Sequence, residues 1–324
     1  MVLDDSHLDQ FTEEGYVVVR DLHDWDLDLQ PVQDEYDEIL DRLITKWHAD
    51  GRLSLTYAGL PFADRLMRAV AESEQQYGFD FDISLPQANI TDDTPMHHGP
   101  AVFNLLRSPR LLDVVQQFVG PEIYSNPVQH ARIKLPEATL PATSRSGLSA
   151  QNALHQDLGV VIDEADETDT LTVWFPMTES NLENGCLTVV PGSHREGPVL
   201  HCPSQDPLTL NQSCIPPRLR SENQVPLLME PGDVLFMTRY TQHSGLHNRS
   251  DSIRWSFDLR YHEIGKPTGR PWFPDFVVRS AAHPEMELHD ADAWAASWRA
   301  ARSTLAAGGN VEFNRWKEAD PRCA

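Results

Sequence analysis

The sequence has no long hydrophobic run. None of its 324 residues lies in a stretch approaching 18 uninterrupted apolar positions, so no membrane-spanning helix is expected. The opening residues, MVLDDSHLDQ, lack a basic region followed by an apolar one, which argues against a secretory signal. Cysteine is scarce: Cys186, Cys202, Cys214 and Cys323 form no CxxC pair and no compact framework. A reducing, cytoplasmic setting is therefore the simplest expectation. Basic residues are also few, with 26 Lys+Arg against 49 Asp+Glu and a net charge of −23. Nucleic acid and anionic membranes both call for a basic footprint, so neither is expected as a partner. The oligomeric state is not legible.

What is present is ordinary globular material. Apolar residues make up 40% and charged residues 23% of the chain, and the length suffices for one large core. Neither an internal repeat nor a low-complexity linker divides it, so one domain spanning 1–324 is expected. Residues 1–120 read as helical support. A short helix and a glycine turn lead into a strand at Tyr16–Val19. Pro31 then opens a helix whose apolar positions Val32, Tyr36, Ile39, Leu40, Leu43 and Trp47 recur every three or four residues. A second helix, ADRLMRAVAESEQQYG, should end near Gly78, and a third, NLLRSPRLLDVVQQFVG, at Gly120. Over 121–265 short β-rich runs alternate with Gly, Pro and Asn turns, the pattern of a sandwich or barrel core. Residues 196–226 interrupt it with a proline-rich, aperiodic stretch suited to a lid or insert. Residues 266–324 should form a C-terminal helical extension.

The chemistry concentrates in LHQDLGV. On a strand, residues i and i+2 leave the same face, so His155 and Asp157 point together. That spacing chelates metal, and it also suits a plain His–Asp hydrogen bond. Further on, PGDVLFMTRYTQHSGLHNRSDSIRWSFDLRY supplies His243 and, 11 residues later, Arg254. Two histidines and one carboxylate with open positions make the facial triad of non-haem Fe(II) oxygenases. A nearby arginine can grip a dicarboxylate through two hydrogen bonds.

Three blocks in this order, HQD, LTVWFPMTESNLENGCLTVVPGSH and the His243–Arg254 segment, give the chain a resemblance to the phytanoyl-CoA dioxygenase (PhyH) family of Fe(II)/2-oxoglutarate oxygenases. The resemblance begins at FTEEGYVVVRDL and covers most of the sequence. It implies a mainly β fold with flanking helices, a double-stranded β-helix or jelly-roll, cupin-like barrel. It implies Fe(II) held by His155, Asp157 and His243, and 2-oxoglutarate anchored by Arg254 beside Trp174. Ser256, two residues beyond Arg254 and on the same face, adds a hydroxyl. The implied reaction hydroxylates or desaturates an unactivated C–H bond of a small-molecule substrate and releases succinate and carbon dioxide. Asp157 favours this over halogenation, for which related enzymes replace the carboxylate with a small residue. One departure is Gly245, where family members often carry a hydroxyl residue two past the second histidine.

Other positions have weaker claims. His130, Arg132 and Lys134 share one strand face in VQHARIKLP and, if that face is inward, line the site: His130 toward the cosubstrate, Arg132 and Lys134 with Gln156 toward substrate or lid. His247 competes with His243 but sits in a turn-like run, and His194 reads as structural. His97 and His98 are more readily surface or pocket residues than a second metal site. Arg270 and Arg279 are candidates to close over the site. Two other functional classes stay open: a non-catalytic cupin-like binding protein, and a zinc or manganese enzyme on a similar barrel.

Overall fold

The structure, a computed structural model, describes residues 2–141, 152–204, 213–308, 311, 313, 315 and 321–323. Seven α-helices come in the order α1 (Asp5–Glu14), α2 (Gln30–Ala49), α3 (Phe62–Ser73), α4 (Gly78–Phe81), α5 (Pro100–Leu106), α6 (Pro109–Val119) and α7 (Ala291–Gly308) among the described residues. Strand β1 (Tyr16–Val19) falls between the first two. After α6 come β2 (Glu122–Ser125), β3 (His130–Lys134), β4 (Asn152–His155), β5 (Leu171–Pro176), β6 (Leu187–Val189), β7 (Cys202–Pro203), β8 (Ser213–Cys214), β9 (Val225–Pro226), β10 (Val234–Thr238), β11 (His243–Gly245), β12 (Arg254–Glu263) and β13 (Phe276–Ser280).

Asp4 caps α1 by accepting from the His7 amide, and Gly15 ends it at φ 79°. A side chain at 15 would strike the His194 ring, so glycine answers both a left-handed turn and a close approach. Two expected helices are shorter than their apolar patterns. The second stops at Ser73, before Gly78, because Glu74 turns left-handed at φ 55°. The third is two helices. Pro109 lacks the N–H that would continue α5 and instead opens α6 at its first turn.

The described strands form two main antiparallel sheets and a two-stranded ribbon, β7-β8. The larger runs β1-β10-β5-β12-β2-β13, with β3 also pairing with β12; the smaller runs β4-β11-β6-β9. Tyr16, Trp174, Leu235 and Met237 of the larger sheet cluster with Leu187, Val189, Leu227 and Met229 on the smaller side. This is the jelly-roll arrangement of facing sheets, but among the described residues no ladder joins them into a closed barrel. The sheet also takes a strand beyond residue 265, since β13 pairs with β2.

Strand β12 organises the fold, burying nine of its ten residues. Trp255, Phe257, Leu259 and Tyr261 face the helices and belong to the main core. Trp255 packs 4.8 Å from Tyr36 of α2 and 5.2 Å from Phe62 of α3, centroid to centroid. The alternate residues Arg254, Ser256, Asp258, Arg260 and His262 face the other way, between the sheets, by the period of two.

The described ends of the 196–226 insert are built in, contrary to a wholly irregular lid. Strands β7 and β8 pair with each other, β9 pairs with β6, and the Ile215 amide donates to the Leu154 carbonyl. Residues 205–212 of the expected lid lie outside the described residues. The cysteines also differ from expectation: Cys202 and Cys323 are disulfide-bonded across 121 residues, while Cys186 and Cys214 are free and buried. A bond between such distant positions cannot be read from cysteine spacing. Among the described residues, no helix is long and apolar enough to cross a membrane.

Removing the Trp255 ring should leave a large cavity between strand and helices. Trp255→Ala should lower unfolding free energy by about 3–5 kcal/mol, read from urea denaturation. A loss below about 1 kcal/mol would contradict the placement of this ring at the centre of the core.

Candidate metal centre

His155 ends β4 and His243 begins β11, and the two are direct partners in the ladder. Their rings lie 4.3 Å apart, centroid to centroid. The strand stops at His155, so the carboxylate of the HxD motif sits in a 3-10 turn rather than on the strand. Gln156 is nonetheless extended, with φ −110° and ψ 145°, which brings Asp157 back to the side of His155. Asp157 Oδ1 lies 3.9 Å from His155 Nε2 and 3.8 Å from His243 Nε2. The three ligand atoms fall within 4.8 Å of one another, the one such metal-capable group among the described residues.

Backbone carbonyls set both tautomers. Nδ1 of His155 is 2.8 Å from the Ala153 carbonyl, and Nδ1 of His243 is 3.0 Å from that of Thr241. A carbonyl only accepts, so each Nδ1 carries the proton and each Nε2 lone pair is turned toward Asp157. Burial pushes the pKa of His155 down to about 3, with His243 adding to the fall, which keeps the ring neutral as a ligand must be. Burial alone would raise Asp157, but the Arg260 guanidinium holds it well below the usual carboxylate range. Arg260 Nη2 is 2.5 Å from Asp157 Oδ1, and the Thr172 hydroxyl donates to Oδ2. The motif reading missed both Arg260 and Thr172. The signal was there: Arg260 continues the alternation Arg254, Ser256, Asp258, and Thr172 precedes Trp174 by two.

The remaining candidates separate by face. Arg254 is fully buried, donates from Nη1 to the Ser256 hydroxyl, and lies 5.6 Å from the Trp174 ring centre, within cation–π range. Its Nε has no hydrogen-bond partner among the described residues. Lys134, Arg132 and His130 stand opposite Arg254, Ser256 and Asp258 in the β3–β12 ladder and so share their face. His130 Nδ1 is 2.9 Å from Asp82 Oδ2, and Arg132 Nε is 3.9 Å from Asp258 Oδ2. Gln156 is turned away from the ligands: its amide binds the carbonyls of Gly197 and Tyr240, and its oxygen accepts from the Val199 amide. His201 Nε2 accepts from the Gln156 backbone amide, so the insert buttresses the HxD turn.

His247 is outside the cluster, with Nδ1 2.6 Å from Glu137 Oε2. His194 packs on Gly15 and approaches the Thr12 carbonyl. His97 pairs with Glu35, and His98 stacks on Trp298, so both belong to the helical support. Arg270 donates to the carbonyls of Phe313 and Val160, and Arg279 pairs with Asp113. Neither of these arginines meets the metal ligands.

Comparison with known proteins identifies the family of the chain. The family model described as Phytanoyl-CoA dioxygenase (PhyH) matches residues 11–256. Peroxisomal phytanoyl-CoA dioxygenase of Homo sapiens is 24% identical over 253 residues, covering 78% of this chain but 66% of the human protein. The chain thus spans just under two thirds of that relative. The 1-deoxypentalenic acid 11-beta-hydroxylase of Streptomyces arenae is 25% identical over 287 residues, covering 84% of this chain and 87% of the hydroxylase. Among solved structures, EvdO2 from Micromonospora carbonacea var. aurantiaca shares the fold with a TM-score of 0.50 and 20% identity, covering 85% of this chain and 98% of EvdO2. EvdO2 has also been solved with 2-oxoglutarate.

The geometry separates the two neighbouring histidines. His243→Ala should weaken divalent-metal binding by at least about tenfold, the scale of losing ordered coordination, whereas His247→Ala should bind as wild type. Calorimetric titration with Mn(II) decides this; the opposite ranking would exchange the roles of the two residues.

Proposed function

Given that this chain belongs to the phytanoyl-CoA dioxygenase family, we propose that it is an Fe(II)- and 2-oxoglutarate-dependent dioxygenase. It hydroxylates, or desaturates, an unactivated C–H bond of a small molecule and releases succinate and carbon dioxide. The observation that carries this reading is the clustered two-histidine, one-carboxylate group of His155, Asp157 and His243, with Arg254 buried on β12, the strand whose Arg260 pairs with Asp157. That donor set suits Fe(II) and leaves one face of an octahedral ion open to a bidentate 2-oxo acid and dioxygen.

When bound, the iron supplies the oxidising power for C–H cleavage. The chain's own residues hold, orient and exclude. His155, Asp157 and His243 would hold the metal, their donor atoms preset by the Ala153 and Thr241 carbonyls, Arg260 and Thr172. Arg254 would take the far carboxylate of the cosubstrate, with Ser256 donating beside it and the Trp174 ring walling the same space. His130, Arg132 and Asp258 continue this polar face and would line the route by which substrate reaches the metal. The Cys202–Cys323 bond leaves the cytoplasmic setting a proposal that a thiol assay on protein from cells would decide.

Succinate formation from 2-oxoglutarate should require Fe(II) and fail with Zn(II). Losing the arginine fork forfeits at least one charge-assisted hydrogen bond of about 1.5–3 kcal/mol. Arg254→Ala should therefore raise the KM for 2-oxoglutarate at least about tenfold, with metal affinity little changed. Arg254→Lys should be nearly as poor, since an ammonium lacks the planar fork. Wild-type KM in Arg254→Ala, or turnover supported equally by Zn(II), would count against the reading.

A further inference from the structure

We propose that Lys134 is a second cationic anchor for the far carboxylate of the cosubstrate, occupying space that glycine at 245 leaves open. The proposal rests on the 2-oxoglutarate reading above and deepens it, naming a positioning and specificity residue that neither the family match nor the relatives assign.

Three observations converge. First, Lys134 is the direct ladder partner of Arg254, so the two basic side chains leave adjacent strands on the same inward face. Both are fully buried. Second, a Cβ built on Gly245 would lie 3.1 Å from Lys134 Nζ, whereas its next contacts, Leu187 Cδ2 and Asn152 Cβ, are at 3.6 and 3.7 Å. Gly245 is two residues past the ligand His243 and has an ordinary backbone conformation, so the ammonium, not the chain, is what a side chain there would displace. Third, Nζ donates to one atom among the described residues, the Leu246 carbonyl, although an ammonium carries three donors.

Two buried basic groups side by side make an unfavourable arrangement unless an anion joins them. Carboxylates nearby are committed elsewhere. Asp157 pairs with Arg260, Asp258 lies between Arg132 and Arg260, and Glu137 pairs with His247. Burial and the neighbouring Arg254 push the Lys134 ammonium well below the usual lysine pKa; an anion placed between them would act in the opposite sense. A carboxylate held by Arg254, Ser256 and Lys134 satisfies all three, and a hydroxyl at position 245 is then not needed.

The test is binding, not turnover. 2-Oxoglutarate and 2-oxopentanoate, a 2-oxo acid of the same length without the far carboxylate, are titrated calorimetrically into Mn(II)-loaded protein. Lys134→Gln keeps a donor for the Leu246 carbonyl but removes the charge. It should weaken 2-oxoglutarate at least about tenfold while 2-oxopentanoate changes less than about twofold. Gly245→Ala, which crowds Nζ and little else, should reduce the same selectivity in a chain that keeps the lysine. A cooperative thermal melt and unchanged Mn(II) affinity identify folded variants. If both variants retain wild-type preference for 2-oxoglutarate, or if both acids weaken equally, the second anchor is overturned. If wild type shows no preference between the two acids, the 2-oxoglutarate reading falls and the proposal with it.

Discussion

Everything at the centre of this molecule depends on one strand buried on both faces. In β12, Trp255, Phe257, Leu259 and Tyr261 supply the apolar face that binds the sheet to its helices. The period of two then obliges Arg254, Ser256, Asp258 and Arg260 to point between the sheets. A slip of one residue would put charges among Tyr36, Phe62 and the other rings and place aromatic groups where the metal ligands gather. The hydrophobic pattern therefore fixes the register, and the register places the polar groups of the site.

The second dependence is electrostatic. Arg260 is the hinge of the interior: it grips Asp157 on one side and Asp258 on the other. The carboxylate ligand is thus kept ionised and aimed before any metal arrives, which is the preorganisation a metal site requires of its surroundings. Toward Arg254 the balance tips the other way, with basic groups outnumbering the acids free to meet them. Under the proposed function, β12 would present a place for a cation near Arg260 and, toward Arg254, a place for an anion. That polarity suits a metal chelated by a dicarboxylic 2-oxo acid.

Much of this was legible in the residues. The HxD spacing and His243 pointed to the three residues that the structure brings together, and the alternating runs after Ile123 named a sheet-rich core. The splitting of the third helix was also signalled, since Pro109 cannot continue α5. Other features were hidden for physical reasons. Arg260 and Thr172 act on Asp157 from strands distant in sequence, so only pairing reveals them. The Cys202–Cys323 bond joins segments separated by 121 residues. The insert around 196–226 carries no periodicity, yet the His201 ring accepts from the Gln156 amide and the Ile215 amide donates to the Leu154 carbonyl, contacts with the HxD segment that composition cannot encode.

The central claim is that one ion held by His155, Asp157 and His243 shares a 2-oxo acid with the basic end of β12. Anaerobic absorption spectroscopy addresses it directly, because a 2-oxo acid chelated to Fe(II) gives a visible charge-transfer band that neither component gives alone. Titrating 2-oxoglutarate into the Fe(II)-loaded protein should develop that band to a one-to-one end point, and Asp157→Ala should fail to develop it at the same concentrations. A colourless wild-type protein under saturating Fe(II) and 2-oxoglutarate would contradict the account.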